Sequence, residues 1–187
     1  MLKKNWLGFW SPRSAAQIFF AMFLGVHIVA ARAQDAHGLS REFASISWTK
    51  VTDRQNSSVE IPTSLVSKTN SAVGLMFQNQ SDGIKIYFNT TTESRPGFPG
   101  NDPKGDMNLK RSDCDVWPPE FVVTKRNLAA YSCIKHDVVH YYVAKYNGYG
   151  DVMLYVQYPV AKRSLWDKVV SKMAMSLHQT RRLSKNP

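Results

Sequence analysis

Period-two alternation of apolar and polar residues recurs along most of this chain and gives way to a helical period only near its end. Ile84, Ile86 and Phe88 share one side of a stretch whose other side carries Lys85, Tyr87 and Asn89, the pattern of a half-buried strand. Gly74–Gln80 and Ile84–Thr91 read as a hairpin, joined through Ser81-Asp82-Gly83, where glycine supplies a positive φ. Upstream, Ser45–Val51 alternates through Ile46 and Trp48. A polar turn covers 53–58, and Val59–Ile61 alternates again until Pro62 stops it. Leu65 and Val66 fit a short turn or edge segment. Three more strands are predicted at Leu128–Ile134, Val138–Tyr146 and Asp151–Tyr158, with turns at His136-Asp137 and Asn147-Gly148. Val152, Leu154 and Val156 share a face of the last strand, and Pro159 closes it. Then Trp166, Val169, Val170, Met173 and Leu177 recur at i, i+3, i+4, i+7 and i+11, the stripe of an amphipathic helix. Ser164 and Asp167 have the spacing of a capping pair. Strands first and helix last predict an α+β fold, an antiparallel β-sheet with a C-terminal amphipathic helix packed on one face.

The stretch from Arg95 to Pro119 breaks the pattern. It has no apolar period and holds five of the nine prolines and three of the ten glycines. It reads as a long loop, and long loops in compact domains are often functional. Cys114 lies near its end and Cys133 in the following strand. With no other cysteine in the chain, the simplest pairing in an oxidising compartment is a structural disulfide that pins the loop to the sheet. Free thiols or a redox site are the alternative, but neither cysteine stands in a Cys-x-x-Cys motif.

The N-terminal residues point to such a compartment. Lys3, Lys4 and Arg13 precede an apolar run over 15–31, broken by Gln17 and His27, which ends in the small-x-small triplet Ala31-Arg32-Ala33. That is the form of an export signal. The run falls short of the roughly 20 apolar residues of a membrane span, although an uncleaved anchor is the alternative. The expected organisation is a signal peptide over 1–33, a flexible lead-in over 34–44, one domain over 45–180 and a basic tail over 181–187. The expected location is periplasmic or secreted. A domain of that size buries a core of its own.

Charge adds one point. The net +10 comes from +4 in residues 1–33, zero in 34–158 and +6 in 159–187. A basic C-terminus suits a solvated face, an acidic partner or weak contact with an anionic membrane surface. No nucleic-acid recognition motif accompanies it, so no nucleic-acid partner is expected.

Candidate chemistry is sparse. His136 and His140 are four apart in a turn and a strand, which separates them by about 13 Å if extended and argues against a metal site. Asp102, Asp106, Asp113 and Asp115 are interleaved with Lys104, Lys110 and Arg111 and miss the spacing of a calcium loop. There is no nucleophile elbow, no Cys-His signature and no phosphate-binding glycine motif. No cofactor is expected. The expected function is a non-enzymatic binding or accessory module, with an enzyme built from scattered residues as an alternative. Aromatic residues crowd the second half, among them Trp117, Tyr131, Tyr141, Tyr142, Tyr155 and Tyr158. Such residues are first of all cross-strand packing, and also suit binding surfaces because they combine apolar area with a polar tip. The candidate contact surface is the 95–119 loop with the tyrosine-rich sheet face. Arg95, Phe98, Lys104 and Trp117 are the candidate partner-binding residues, and the partner is a protein or an envelope component.

Two segments resemble known proteins. Ser94-Arg95-Pro96-Gly97-Phe98-Pro99-Gly100, followed by Asp102-Pro103-Lys104-Gly105-Asp106, is one. The ending Tyr158-Pro159, Trp166-Asp167, Val169-Val170, Met173, Ser176 and Leu177 is the other. Together they resemble small secreted alphaproteobacterial proteins of unknown function. The ending also resembles the PsbP/Mog1/DcrB-like α/β/α sandwich. The resemblance implies an antiparallel sheet and a non-enzymatic accessory or binding role. It carries over no functional residue. This chain departs from the pattern by lacking a clear helix after 59–66 and by having the Pro/Gly-rich stretch in its middle.

Overall fold

In the strand that ends at Pro159, Val152, Leu154, Val156 and Tyr158 are buried, while Met153, Tyr155 and Gln157 between them are half-buried. Both faces of this strand are therefore covered, and the architecture follows from what covers each. The computed structural model describes residues 38–71, 74–91, 103–116, 118–119, 121–147 and 150–179. The chain divides after Arg41, and every strand belongs to the second unit, Glu42–Pro187.

The fold is α+β. A hairpin pairs β1 (Thr49–Thr52) with β2 (Ser58–Ile61). The main sheet holds β3 (Ser67–Thr69), β4 (Leu75–Asn79), β5 (Ile84–Thr91), β6 (Phe121–Lys125), β7 (Leu128–Lys135), β8 (Val138–Tyr146) and β9 (Asp151–Pro159). Its order is β3-β4-β5-β9-β8-β7-β6 and every pairing is antiparallel. The helices that flank the sheet are α1 (Pro103–Leu109) and α2 (Arg163–Ser176).

The hairpins form for local reasons. Between β4 and β5, Gly83 takes φ +67°, and the Asn79 side chain closes the turn by accepting from Ser81 Oγ at 2.7 Å and from Asp82 N at 3.2 Å. Between β7 and β8, His136 and Asp137 both take positive φ, 48° and 61°. That is the signature of a type I′ turn, whose twist matches the strands. Gly74, before β4, also takes a positive φ, and a Cβ there would stand 2.6 Å from the Phe88 carbonyl oxygen.

One face of the sheet packs against α2. Leu165, Trp166, Val169, Val170 and Met173 are buried, as is Leu177 just beyond. The stripe read from the sequence is thus the stripe that packs. The Trp166 ring lies 6.0 Å from that of Tyr158, and Tyr158 Oη donates to Asp167 at 2.6 Å. Lys145 of β8 donates to the Leu177 carbonyl at 2.5 Å, a cation at the negative end of the helix. β2 lies alongside α2 with Val59 and Ile61 fully buried. Glu60 N donates to Ser176 Oγ at 2.9 Å, and Ser58 and His178 exchange backbone hydrogen bonds at 2.9 and 2.8 Å.

Several expectations are corrected. The stretch Arg95–Pro119 is not a featureless loop, since it contains α1 and a 3₁₀ turn over Lys110–Asp113. Pro103 begins α1, where its missing N–H costs nothing. Seven residues with Met107 as the buried anchor are too few to display a period. β6 was not anticipated, because Phe-Val-Val does not alternate. It is an edge strand, largely exposed on both faces. The first strand begins at Thr49 and not at Ser45, whose N–H and Oγ both bond the Glu42 carbonyl. Residues 38–44, which fall in the expected lead-in, have helical backbone. Finally, α2 starts one residue before Ser164, after Lys162 and without a side-chain cap. Asp167 instead serves Tyr158 and lies 3.5 Å from Arg163 Nε.

Replacing Trp166 by Ala should lower the unfolding free energy by about 3–5 kcal/mol. Lys168→Ala, on the exposed side of α2, should stay within about 0.5 kcal/mol of wild type. Urea denaturation followed by circular dichroism measures both.

Candidate functional site

The opposite face of the sheet is built from the alternate positions of the same strands. Ala129, Tyr131 and Cys133 of β7 stand opposite Ala144, Tyr142 and His140 of β8. The two alanines leave space over the sheet, and Met107 of α1 packs there with Tyr131 and Tyr142. These two tyrosine rings stack 5.5 Å apart.

The segment after α1 is fastened to β7. The Cys114–Cys133 disulfide is formed, with 5.6 Å between Cα atoms, as the cysteine count suggested. Tyr131 Oη donates to Asp113 Oδ2 at 2.9 Å. Lys135 Nζ donates to the Ser112 carbonyl at 2.5 Å. Asp115 accepts from His136 N at 2.9 Å and donates its own N–H to the Ile134 carbonyl at 3.0 Å. Asp113 and Asp115 thus serve the fold.

α1 and its tether do not cover the whole face. Towards β5 and β9 a cavity of about 320 Å³ opens, lined by Tyr87, Asn89, Lys110, Met153, Tyr155 and Gln157. This lies at the small end of ligand-site volumes. The rings of Tyr87 and Tyr155, which are cross-strand partners, lie 6.2 Å apart. Lys110 Nζ sits 5.5 Å from the ring centres of both Tyr142 and Tyr155, where the ring quadrupole attracts a cation. Behind the wall, Tyr155 Oη is 2.6 Å from His140 Nδ1 and accepts from Gln157 Nε2 at 3.3 Å.

Burial sets the protonation of this group. It raises the Tyr155 phenol above its ordinary value, and the Asp113 carboxylate adds to the rise. Burial also lowers the His140 imidazole, overriding the opposite pull of Asp113. Both side chains are therefore neutral near pH 7.

A larger cavity of about 670 Å³ lies between the β1–β2 turn and the β3–β4 edge, bordered by Arg54, Gln55, Lys68, Thr69 and Asn89. Its lining is mostly polar and has no aromatic platform, so the smaller cavity is the better candidate site. Among the described residues, no three His, Cys, Asp or Glu side chains converge to hold a metal ion.

Of the residues picked from the sequence, Lys104 lies exposed on α1, away from the cavity lining. Arg95, Phe98 and Trp117 fall outside the described residues. The tyrosines do not form one binding face. Tyr141 and Tyr158 point to the α2 side, while Tyr131 and Tyr142 are buried under α1. Lys110, Tyr87, Asn89 and Gln157 were missed. The only signal for them was the Lys85-Tyr87-Asn89 face of one strand, and its neighbour β9 lies more than sixty residues later. No family model and no curated protein matches the chain.

Two outcomes follow. His140 has its imidazole lowered from 6.5 in the folded chain, so the unfolded chain binds its proton first as pH falls. Folding should lose stability as pH drops below 6.5 towards the lowered value, and His140→Gln should flatten that part of the curve of unfolding free energy between pH 7.5 and 5. Joint replacement of Cys114 and Cys133 by Ser should cost about 3 kcal/mol. It should also speed hydrogen exchange of the 103–114 amides before those of β8 and β9.

Proposed function

We propose that this protein is an exported, non-enzymatic binding module of the cell envelope, which takes a protein or an envelope component at the tyrosine cavity beside Lys110. One observation carries the reading. Two phenol rings and a lysine ammonium border an opening on the sheet face beside the part that α1 packs on. Ring faces give a partner apolar area at little entropic cost, while Lys110, Asn89 and Gln157 supply donors and acceptors that orient it.

The non-enzymatic part rests on how the ionisable groups are used. His140 is buried and its Nδ1 is engaged by Tyr155, and Asp113 accepts from Tyr131. The exported part rests on the disulfide, which is compatible with an oxidising periplasmic or extracellular compartment. Association with a membrane surface through α2 has weaker support. Its apolar stripe is buried against the sheet, and Lys162, Arg163 and Lys172 already face Asp82, Asp167 and Glu60.

The test is affinity capture of the tagged, exported protein after mild cross-linking in its envelope, with mass spectrometry of what is retained. Tyr87→Ala and Lys110→Ala should each reduce recovery of a reproducible partner by roughly tenfold, equivalent to about 1.4 kcal/mol, with the thermal midpoint near that of wild type. Recovery equal to wild type in both variants would overturn the assignment of the cavity. Alanine at Arg95, Phe98, Lys104 and Trp117 in the same experiment measures what the adjoining segment adds.

A further inference from the structure

The two edges of the main sheet differ. β3 is a three-residue strand, Ser67-Lys68-Thr69, with a lysine at its centre. Short length and a lysine are standard protections against edge-to-edge pairing. β6 has neither. It runs for five residues without proline, and its register against β7 is continuous from Phe121↔Ser132 to Lys125↔Leu128, without a bulge. Among the described residues, the large exposed apolar side chains are Val116 (74% exposed), Phe121 (45%), Val122 (44%), Ile134 (39%) and Met175 (77%). All but Met175 belong to this end of the sheet, on β6, on β7 and in the segment tethered to it. Val116 and Ile134 line a cavity of about 360 Å³ there.

The backbone of β6 fixes which groups are free to pair. Tyr146 N donates to the Asn127 carbonyl, so the odd-numbered residues of β7 bond towards β8. Ladder bonds alternate sides along a strand, so Leu128, Ala130 and Ser132 bond towards β6. Their partners are Lys125, Val123 and Phe121. The N–H and C=O groups of Val122 and Thr124 therefore point outward from the sheet.

We propose that β6 pairs with β6 of a second copy of this chain, antiparallel about a two-fold axis at Val123, which joins two seven-stranded sheets into one. In this register Val122 of each copy lies opposite Thr124 of the other. Both are outward-facing, so each pair exchanges two ladder hydrogen bonds. Phe121 lies opposite the partner's Lys125, so no like charges face each other and the ammonium meets an aromatic ring. The same operation at the other edge, centred on Lys68, would oppose two lysines. The pairing is isologous and closes on itself. It matches the edge in length, hydrogen-bond phase and charge.

Sedimentation velocity of the full chain over a concentration series should show a monomer–dimer equilibrium. Thr124→Pro removes one outward N–H, a position where an edge strand tolerates proline, and should give a monomer with an unchanged circular dichroism spectrum. Val123→Cys gives a second test that does not depend on that fold. Residue 123 meets its own copy in a non-hydrogen-bonded pair with Cα atoms about 4.5 Å apart, within disulfide reach. It should form a covalent dimer under mild oxidation. Phe121→Cys should not, because its copies would be about 13 Å apart along the strand. A wild-type monomer at all concentrations, a dimer that survives Thr124→Pro, or equal cross-linking at 121 and 123 would each overturn the proposal. A wild-type monomer would leave the edge to a strand of another protein or to solvent.

Discussion

Coverage of both faces of β9 is the constraint on which the rest of this molecule depends. β9 is flanked by β5 and β8, so it has no solvated edge. Its even-numbered residues demand an apolar cover on one side, and α2 supplies it directly, because the chain leaves β9 at Pro159 and turns through Val160–Lys162 into the helix. Covering the other side requires chain from elsewhere. That cover is the segment around α1, and its apolar anchor is slight. Of α1's described side chains Met107 enters this core cluster, with Cys114 at its margin, and Pro103 is buried as well. The disulfide and the hydrogen bonds of Ser112, Asp113 and Asp115 to β7 and its turn compensate for the small apolar area. The bridge thus closes a layer that hydrophobic burial by itself would hold weakly.

The sequence displays the α2 side of the fold far better than the other. Ile84-Ile86-Phe88, Val152-Leu154-Val156 and the helical stripe from Trp166 to Leu177 each repeat at the period of their element, since each is buried along its full length. The fold class is readable from them. α1 has one turn and a half and a single deep contact, so no periodicity announces it. β6 fails for the opposite reason. Burial on neither face removes the alternation, and Phe-Val-Val could belong to any extended segment. The type I′ turn at His136-Asp137 was placed correctly although it lacks glycine, because the two flanking strands were both strong.

The candidate site was less legible than the fold for a topological reason. Tyr87 and Tyr155 become neighbours only because β9 inserts between β5 and β8, and strand order over so long a separation leaves no mark on local pattern. Tyrosine frequency drew attention to the second half of the chain, although Tyr87 lies in the first, and could not sort the rings. Register did that. An odd or even position in β8 and β9 decides whether a tyrosine meets α2, like Tyr158, or α1, like Tyr142. Lys110 was read as a charge that spoils a calcium loop. It stands instead where the 3₁₀ turn sets its ammonium over two rings.

The exposed edge at β6 follows from the same geometry. Seven strands at about 4.8 Å spacing span roughly 29 Å, whereas a helix with its side chains is about 10 Å across. α2 covers the centre, and the β1–β2 hairpin widens that layer through Val59 and Ile61. Neither extends over β6, where Phe121 remains exposed and Val123 half-buried. On the other face the tether ends at Cys114 and Asp115, against β7 and its turn, and α1 itself reaches β6. β6 therefore lacks cover from the α2 layer, while α1 approaches it from the other face. An edge strand whose side chains stay mostly exposed, yet which is kept regular and free of proline, has the properties that antiparallel extension across a two-fold requires. Extension there would bury Phe121 and Val123 in a continuous sheet without disturbing the tyrosine cavity, which lies at the β5–β9 seam, three strand pairings away.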